Sequence, residues 1–590
     1  MLNLPKPEKG KALTRRQVLA HFGMLGTGAF VARPAAVWAA GPGPGRLVAR
    51  AASAKPAGSD LGAIDHIVFL MMENRSYDHY FGAYPRGRGF DDHPSESLGV
   101  FAQDYPNAPA LTPKGKLLPF QLRGAAGTVE CTHDLTHAWG PMHLCWNHGR
   151  MDSWVKVHTS SEYEGSNGAM TMGYYERSDL AFYYALADAF TLCDAYHCSI
   201  LGPTHPNRLM ANSGTIDPAG TNGGPVTDTN ATPDSVWNCT WTTMQEVLED
   251  AGVSWKVYSP SNLGVSGKYG GLLGYPSWDP ALYNPLTNVE VMGVSDHVLP
   301  YFSAFRNPTS SLYAKAFTQT FPNDLVSDVA SGGLPSVSWI IPPIGFDDHP
   351  SVAPTNGMYF TSLILDALAS NPAVWSKTAL FLMYDENDGW FDHVAPPTAP
   401  AGTQGEYLTA TAPSIGDPDP DTLGISGPLG LGVRVPMLAI SPFSRGGHIA
   451  SELFDHTSQL KLIGERFGVE VPNVSSWRRA LVGDLTSTLF RSSADTSLPS
   501  LPTPAIVMPL DGACAEATQD TEGLGGASPS VPTMQQMPTQ GGGSRPASDY
   551  FATTAEERAI PPDHRTAIIG DGPTPVTTKS AYNRLAVRAS

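Results

Sequence analysis

"HIVFLMMENRSYDHYFG", His66 to Gly82, opens as an unbroken apolar run, Ile67 to Met72, and turns at once into Glu73-Asn74-Arg75-Ser76-Tyr77-Asp78-His79. An apolar run of strand length without period-two alternation is the pattern of a strand covered on both faces. The polar burst that ends it has two readings. Strands commonly end in solvated loops. A central strand can also deliver side chains to a site at its C-terminal edge, where open α/β sheets build their clefts.

Working outward, similar runs recur at "VSWKVYS" (253–259), "SVSWII" (336–341), "ALFLMYD" (379–385) and "PMLAISP" (436–442). Between them lie helix-like segments, "SVWNCTWTTMQEVLEDAG" (235–252), "MYFTSLILDALASN" (358–371) and "HTSQLKLIGERFG" (456–468), the first and last closed by a glycine stop. Strands and helices in alternation predict an α/β fold with a mostly parallel central sheet covered by helices. Residues 212–234 and 395–430, rich in Gly, Pro, Thr and Asp, read as long loops of the kind that rim a site. The division expected is a targeting segment over 1–40, a Pro/Gly/Ala-rich spacer over 41–62, a catalytic domain over 63–490, and a linker with a small C-terminal appendage over 491–590. Within the last, "MQQMPTQGGGSRPASDY" reads as a flexible linker.

The 590 residues carry a net charge of −18, which leaves no electrostatic footprint for nucleic acid. An anionic protein also gains nothing from long-range attraction to an anionic bilayer, so contact with lipid must be local and partly apolar. The N-terminus carries Thr14-Arg15-Arg16-Gln17-Val18-Leu19, then the weakly apolar "AHFGMLGTGAFVA" and the small residues of "AVWAA". This is the pattern of a twin-arginine signal cleaved near Ala39 or Ala40, implying an exported protein, periplasmic or secreted, that passes through the twin-arginine export machinery. The six cysteines include no CxxC pair, which argues against a thiolate zinc site. Export permits oxidation, and Cys193/Cys198 and Cys131/Cys145 are near in sequence, but spacing does not set connectivity.

Four polar clusters border apolar segments: Glu73-Asn74, "GPTHPNR" (202–208), "GFDDHP" (345–350) and "DENDGWFDHV" (385–394). Together they point to a metal-dependent hydrolytic site. Carboxylate and amide oxygens suit a hard divalent cation, calcium, magnesium or manganese rather than zinc. Thr204, between Gly-Pro and His-Pro, sits on a turn that the prolines stiffen, and a hydroxyl beside a cation becomes a competent nucleophile. It reads equally well as a helix cap or turn residue. Arg75, Asp78 and His79 read as supporting or capping groups, and Asp455 or Thr457 as a cap for the helix beyond them.

"MMENRSYDHYFG", "GPTHPNR", "YDENDGWFDHVAPP" and "RVPMLAISPFSRGGHIASELFDHTSQLKLIGERFG" resemble, over residues 63–480, the bacterial phosphoesterase family of non-haemolytic-type phospholipases C and related acid phosphatases. The resemblance implies an alkaline phosphatase-like core and a metal-assisted covalent mechanism. It implies metal contacts from Glu73, Asn74, Thr204, Asp385 and Glu386, with Thr204 as nucleophile. It also implies phosphate-contacting imidazoles at His137, in "HDLTHAW", and His349, in "DDHPS". Asn147 and Asp152 of "WNHGRMDSW" would support the site, as would Asp392 and His393, which could equally be ligands. Acid phosphatase members carry a His before an Asn-Pro pair where this chain has Tyr283-Asn284-Pro285, a departure that favours the phospholipase reading. The expected substrate is a phospholipid, met in transient contact with a membrane surface. A broad phosphomonoesterase on the same scaffold is the alternative. A binding protein on an inactive scaffold is disfavoured because all five metal-contact positions remain chemically competent.

Overall fold

The computed structural model describes residues 61–93, 97–105, 115–124, 127–130, 132, 134–159, 168–229, 238–260, 296–318, 320–321, 323–342, 346–350, 352–410, 423–489, 502–504, 531–532 and 535–546. The expected signal, its cleavage point and the Arg15-Arg16 pair lie outside these residues, as do Cys131, Cys514, Gly345 and Tyr283-Asn284-Pro285.

The opening stretch forms β1, His66–Met72, at the middle of a sheet. In chain order the other strands are β2 (Thr191–Cys193), β3 (Trp255–Pro260), β4 (Thr320–Phe321), β5 (Val337–Ile340), β6 (Thr378–Tyr384), β7 (Met437–Ile440) and β8 (His448–Ala450). They lie side by side as β4-β3-β5-β1-β6-β7-β2-β8. β1 pairs in parallel with β5 (Ile67 opposite Val337) and with β6 (Ile67 opposite Ala379). Every residue of β6 and four of the first five of β1 are buried, as the missing alternation predicts for strands with both faces covered.

The mostly parallel α/β architecture is as expected, with two differences. β7 runs antiparallel to both β6 and β2, and nothing in the apolar run "PMLAISP" encodes direction. Among the described residues of the segment 235–252, namely 238–252, only Met244–Asp250 is helical. Thr243 starts that helix with a reciprocal capping box, its hydroxyl accepting from the Glu246 N–H while the Glu246 carboxylate accepts from the Thr243 N–H. Upstream, Cys239 instead bridges to Phe302.

Seven helices frame the site and its surroundings: α1 (Tyr77–Phe81), α2 (Trp139–Trp146), α3 (Ala181–Ala189), α4 (Thr204–Ser213), α5 (Met244–Asp250), α6 (Pro354–Ser370) and α7 (Thr457–Phe467). α7 ends as the sequence indicates, on Gly468 at φ 67°. Within α6, Gly357 is required for a close approach: a Cβ there would meet the Asp348 carboxylate at 1.8 Å. The loops 212–229, 395–410 and 423–430 carry no regular helix or strand beyond the end of α4 among their described residues, matching the composition. Cys193, Cys198 and Cys239 are buried free thiols, so the neighbours Cys193 and Cys198 are not bridged.

The flexible-linker reading of "MQQMPTQGGGSRPASDY" is corrected. Gln536–Pro538 (β9) and Ser544–Pro546 (β10) form an antiparallel hairpin. Met537 is fully buried, and Gly541 and Gly542 take up positive φ at the hairpin's tip. The hairpin docks on the segment after α1. The Gly541 N–H donates to the Ala83 carbonyl at 2.8 Å, and the Gln540 side chain donates to the carbonyls of Tyr84 (2.8 Å) and Gly87 (3.0 Å).

Candidate active site

The strand ends answer the question raised by Glu73-Asn74. Beyond Met72 the chain stays bonded to both flanking segments: the Glu73 N–H donates to the Asp347 carbonyl, and the Asp385 N–H to the Met72 carbonyl. The C-terminal edges of β5, β1 and β6 thereby bring Asp347, Glu73-Asn74 and Asp385-Glu386 to one place, all of it buried. Asn74 sits at φ 62°, where an asparagine is tolerated better than most residues, and its N–H donates to Asp385 Oδ1 at 3.1 Å. His456, just before α7, fixes the Asp385 backbone by donating from Nε2 to its carbonyl at 2.6 Å, while its Nδ1 accepts from the Tyr196 hydroxyl.

Thr204 is the first residue of α4 and is 4% exposed. It is not the N-cap, a position that Pro203 fills. The loop leading to it is clamped by Asn207, whose Oδ1 accepts from the N–H groups of Ser199 and Ile200 and whose Nδ2 donates to the carbonyls of Gly202 and Pro203. One turn beyond Thr204 on the same helix face, Arg208 reaches the strand-end carboxylates. It lies 2.7 Å from Glu73, 3.2 Å from Asp385 and 3.4 Å from Asp296. α4 therefore ties the Thr204 turn to the cluster. Arg208, Asn207 and Asp296 were not singled out from the sequence. Asn207 and Arg208 stand in "GPTHPNR", three and four positions after Thr204, and that helical spacing was the available signal.

The other side of the cluster is built from Asp134, His137, His349 and Asp388. His137 faces three carboxylates, Asp388 at 3.2 Å, Asp134 at 3.5 Å and Glu386 at 3.6 Å. Burial disfavours its charged form, but the carboxylates outweigh burial and raise its pKa well above the usual value. Asp388 is held by the Asn74 amide (3.0 Å) and the Leu135 N–H (3.3 Å), and its own N–H donates to Glu386 Oε2 (2.5 Å). Burial raises the pKa of Glu73, Asp347 and Asp388, and like-charged neighbours add to the effect. Glu386 is pushed up to about 8 by burial, against the pull of His137. Crowded buried carboxylates of this kind are an environment short of positive charge.

The divalent cation implied by the resemblance fits these residues. Asn74 Oδ1 and Glu386 Oε1 are buried oxygens with no hydrogen-bond partner, and the surrounding donors are oxygens. Glu73 and Asp385, by contrast, already share Arg208, so any ion would divide those two carboxylates with a guanidinium.

Not every expected residue joins this cluster. Asn147 donates to Asp152 at 2.6 Å and receives Arg150, a local network that makes no contact with the carboxylates among the described residues. Asp392 and His393 belong to a separate buried network with Asp78 and Arg434. His393 Nδ1 lies 2.6 Å from Asp78, and Arg434 Nε lies 2.9 Å from Asp392. Ser76, not Asp78 or His79, caps α1. Asp455 accepts from the Thr457 N–H at 2.9 Å and pairs with Arg478, but the N-cap of α7 is His456, so neither Asp455 nor Thr457 fills the cap position expected of it.

A model described as the Phosphoesterase family matches residues 64–470. "Phospholipase C B" of Mycobacterium tuberculosis is 43% identical over 538 residues, 90% of this chain and 96% of that protein. "Non-hemolytic phospholipase C" of Burkholderia pseudomallei is 41% identical over 523 residues, 85% of this chain and 68% of that protein. Among solved structures, the phosphonate monoester hydrolase of Agrobacterium radiobacter aligns over 54% of this chain and 73% of that one, at 11% identity and a TM-score of 0.25.

Proposed function

The chain belongs to the phosphoesterase family, and from that premise we propose that it is an exported phospholipase C, hydrolysing the glycerol-side phosphodiester of phospholipids to a diacylglycerol and a phospho-alcohol. The observation that carries this reading is the convergence of Glu73-Asn74, Asp347 and Asp385-Glu386 at the ends of three adjacent parallel strands, tied by Arg208 to the helix that begins at Thr204.

In this reading the Thr204 oxygen attacks phosphorus, and its proton passes to a carboxylate of the cluster. The bond from phosphorus to the glycerol oxygen breaks, and the leaving oxygen takes the proton that His137 holds among its three carboxylates. The head group stays behind, esterified through phosphate to Thr204. Water then adds to phosphorus and gives a proton back to His137. Thr204 leaves as the hydroxyl, its proton returned, and the phospho-alcohol is released. A divalent ion held by Glu73, Asn74, Asp385, Glu386 and the Thr204 hydroxyl would supply charge that favours the threonine alkoxide and offsets the phosphate. His349 would contact the phosphoryl group from the other side. No helix among the described residues is long and apolar enough to cross a membrane. Contact with lipid would be transient, and export would take the twin-arginine route.

The test is turnover of phosphatidylcholine, p-nitrophenylphosphorylcholine and p-nitrophenyl phosphate by wild type and Thr204→Ala. The diesters should be preferred, and the variant should lose activity by several orders of magnitude with an unchanged melt. Preference for p-nitrophenyl phosphate would point to a phosphomonoesterase. Near wild-type turnover by the variant would end the nucleophile assignment.

A further inference from the structure

On the reading of His349 as a phosphate contact, we propose that Asp348 is its positioning residue: the buried Asp348 carboxylate anchors the turn that presents the His349 imidazole to the phosphoryl group. Asp348 is fully buried in the segment between β5 and α6. Its Oδ2 accepts from the Tyr183 hydroxyl on α3 at 2.9 Å and from the Tyr384 hydroxyl, at the end of β6, at 2.5 Å. Its Oδ1 packs on α6, against the bare Cα of Gly357. Its carbonyl accepts from Arg75 Nε at 2.7 Å, and the Arg75 N–H donates in turn to the Glu386 carbonyl at 3.0 Å. The residue is thus gripped by α3, β6, α6 and the segment that follows β1.

The grip holds a conformation that most residues avoid. Asp348 sits at φ 72°, in the left-handed region. Such a backbone persists where its surroundings over-determine it, and it concentrates at functional sites. Both flanking residues meet the strand-end cluster. The Asp347 carbonyl accepts from the Glu73 N–H, and a ring nitrogen of His349 lies within 4.8 Å of carboxylate oxygens of Asp134 and Asp388.

His349 does little to aim itself. Its Nδ1 has no hydrogen-bond partner, so no bond through that atom fixes the ring. Its backbone is what is held: the His349 N–H donates to Asp347 Oδ1 at 3.0 Å, and the next carbonyl, of Pro350, accepts from the Thr132 N–H at 2.8 Å. The direction of the imidazole therefore follows the turn, and the turn follows Asp348. Misplacing a group that meets the substrate by about 1 Å costs roughly a hundredfold in rate.

The test is a double-mutant cycle on kcat/KM with p-nitrophenylphosphorylcholine, repeated with p-nitrophenyl phosphate because both carry the phosphoryl group. Each protein is checked by thermal melt. Asp348→Ala loses the acceptor and disfavours positive φ, and should fall about a hundredfold. Asp348→Asn keeps an oxygen acceptor and tolerates the left-handed region, and should recover most of that loss. Asp348→Ala combined with His349→Gln should come within about twofold of His349→Gln alone, because an absent ring cannot be misaimed. Losses that multiply would overturn the proposal, since a carboxylate that only supports the fold lowers turnover whatever stands at 349. Wild-type turnover by folded Asp348→Ala would overturn it too. If Asp348→Ala does not fold, Tyr183→Phe with Tyr384→Phe takes its place in the same cycle, and the same comparison decides. His349→Gln with wild-type turnover would end the phosphate-contact reading and the proposal with it. Turnover confined to p-nitrophenyl phosphate would end the phospholipase reading alone, and the cycle on that substrate would still decide the role of Asp348.

Discussion

Replacing Arg434 with methionine tests whether the Asp78–Asp392–His393 network is structural. The guanidinium is fully buried. Its Nε and Nη2 grip Asp392 at 2.9 and 3.0 Å, Nη2 also reaches Asp78 at 3.0 Å, and Nη1 donates to the carbonyls of Asp194 (2.7 Å) and Arg88 (2.9 Å). Its Cζ lies 4.4 Å from the centre of the Tyr77 ring. Methionine keeps much of the apolar volume and removes the charge. Two buried carboxylates are then left with His393 as their nearest cation, a change that costs about 3–5 kcal/mol. The two stranded carbonyls add about 1 kcal/mol where water cannot reach them. At ~2.1 cal/mol/K per residue, a domain of about 400 residues unfolds with an entropy of ~0.8 kcal/mol/K, so the melt should fall by roughly 5–7 °C. Calorimetry at neutral pH with saturating metal measures this, beside metal counts on the same samples. Arg434→Met with Asp392→Asn should recover part of the loss, because it removes one of the abandoned charges. A melt within a degree of wild type would refute the reasoning. So would an unchanged melt with one metal equivalent gone, since the network would then be a ligand set.

Three other outcomes are expected. Asp366, a buried carboxylate on α6, has its pKa pushed up to about 7 by burial. The folded state therefore holds a proton that the unfolded state gives up, and stability falls as pH rises from about 4 to about 7. Asp366→Asn should be more stable than wild type by about 1–2 kcal/mol at pH 8 and no different at pH 4, read from melts across that range. Exhaustive chelation should abolish turnover and a divalent cation restore it. Glu73→Gln and Asp385→Asn should each weaken metal binding and turnover together by roughly two orders of magnitude, and activity indifferent to chelators would contradict this. Arg15→Lys with Arg16→Lys should leave the protein in the cytoplasm, and normal processing of that variant in a fractionation blot would rule out the twin-arginine route.

The core of the fold was legible where length and burial worked together. β1 and β6 are each seven residues long and covered on both faces, so an unbroken apolar run was their signature. β2, β4 and β8 have only two or three residues, too few to establish any period, and they went unread. The start of α5 was legible in principle, since Thr243-Met244-Gln245-Glu246 spells a capping box, but the apolar residues upstream extended the helix wrongly. The hairpin at 536–546 was hidden by its composition. A glycine-rich stretch reads as slack, whereas here the glycines supply the positive φ of a tight turn and Met537 supplies the anchor. In the site, Glu73, Asn74, Asp385 and Glu386 announced themselves by ending strands. Asp347 stands in the "GFDDHP" cluster read as part of the site, whereas Asp134 and Asp296 are acids in loops, and only the folded arrangement separates them from solvated ones.

The central position of β1 has a consequence for the order in which the molecule can come into being. The first strand among the described residues is the one whose two neighbours are made late: β5 begins at Val337 and β6 at Thr378. Asn74 and Asp385, which bond directly, are 311 residues apart. Until residue 340 has left the ribosome β1 has both edges bare, and until residue 384 it keeps one bare edge, with Glu73 lacking its Asp385-Glu386 neighbours. Long-range pairing of this kind is slow and leaves sticky edges exposed meanwhile. No shorter portion of the chain can be weakly active, because every half-site lacks its other half. Activity should therefore switch on in one step during synthesis, which ribosome-stalled chains of graded length would display as a threshold rather than a slope.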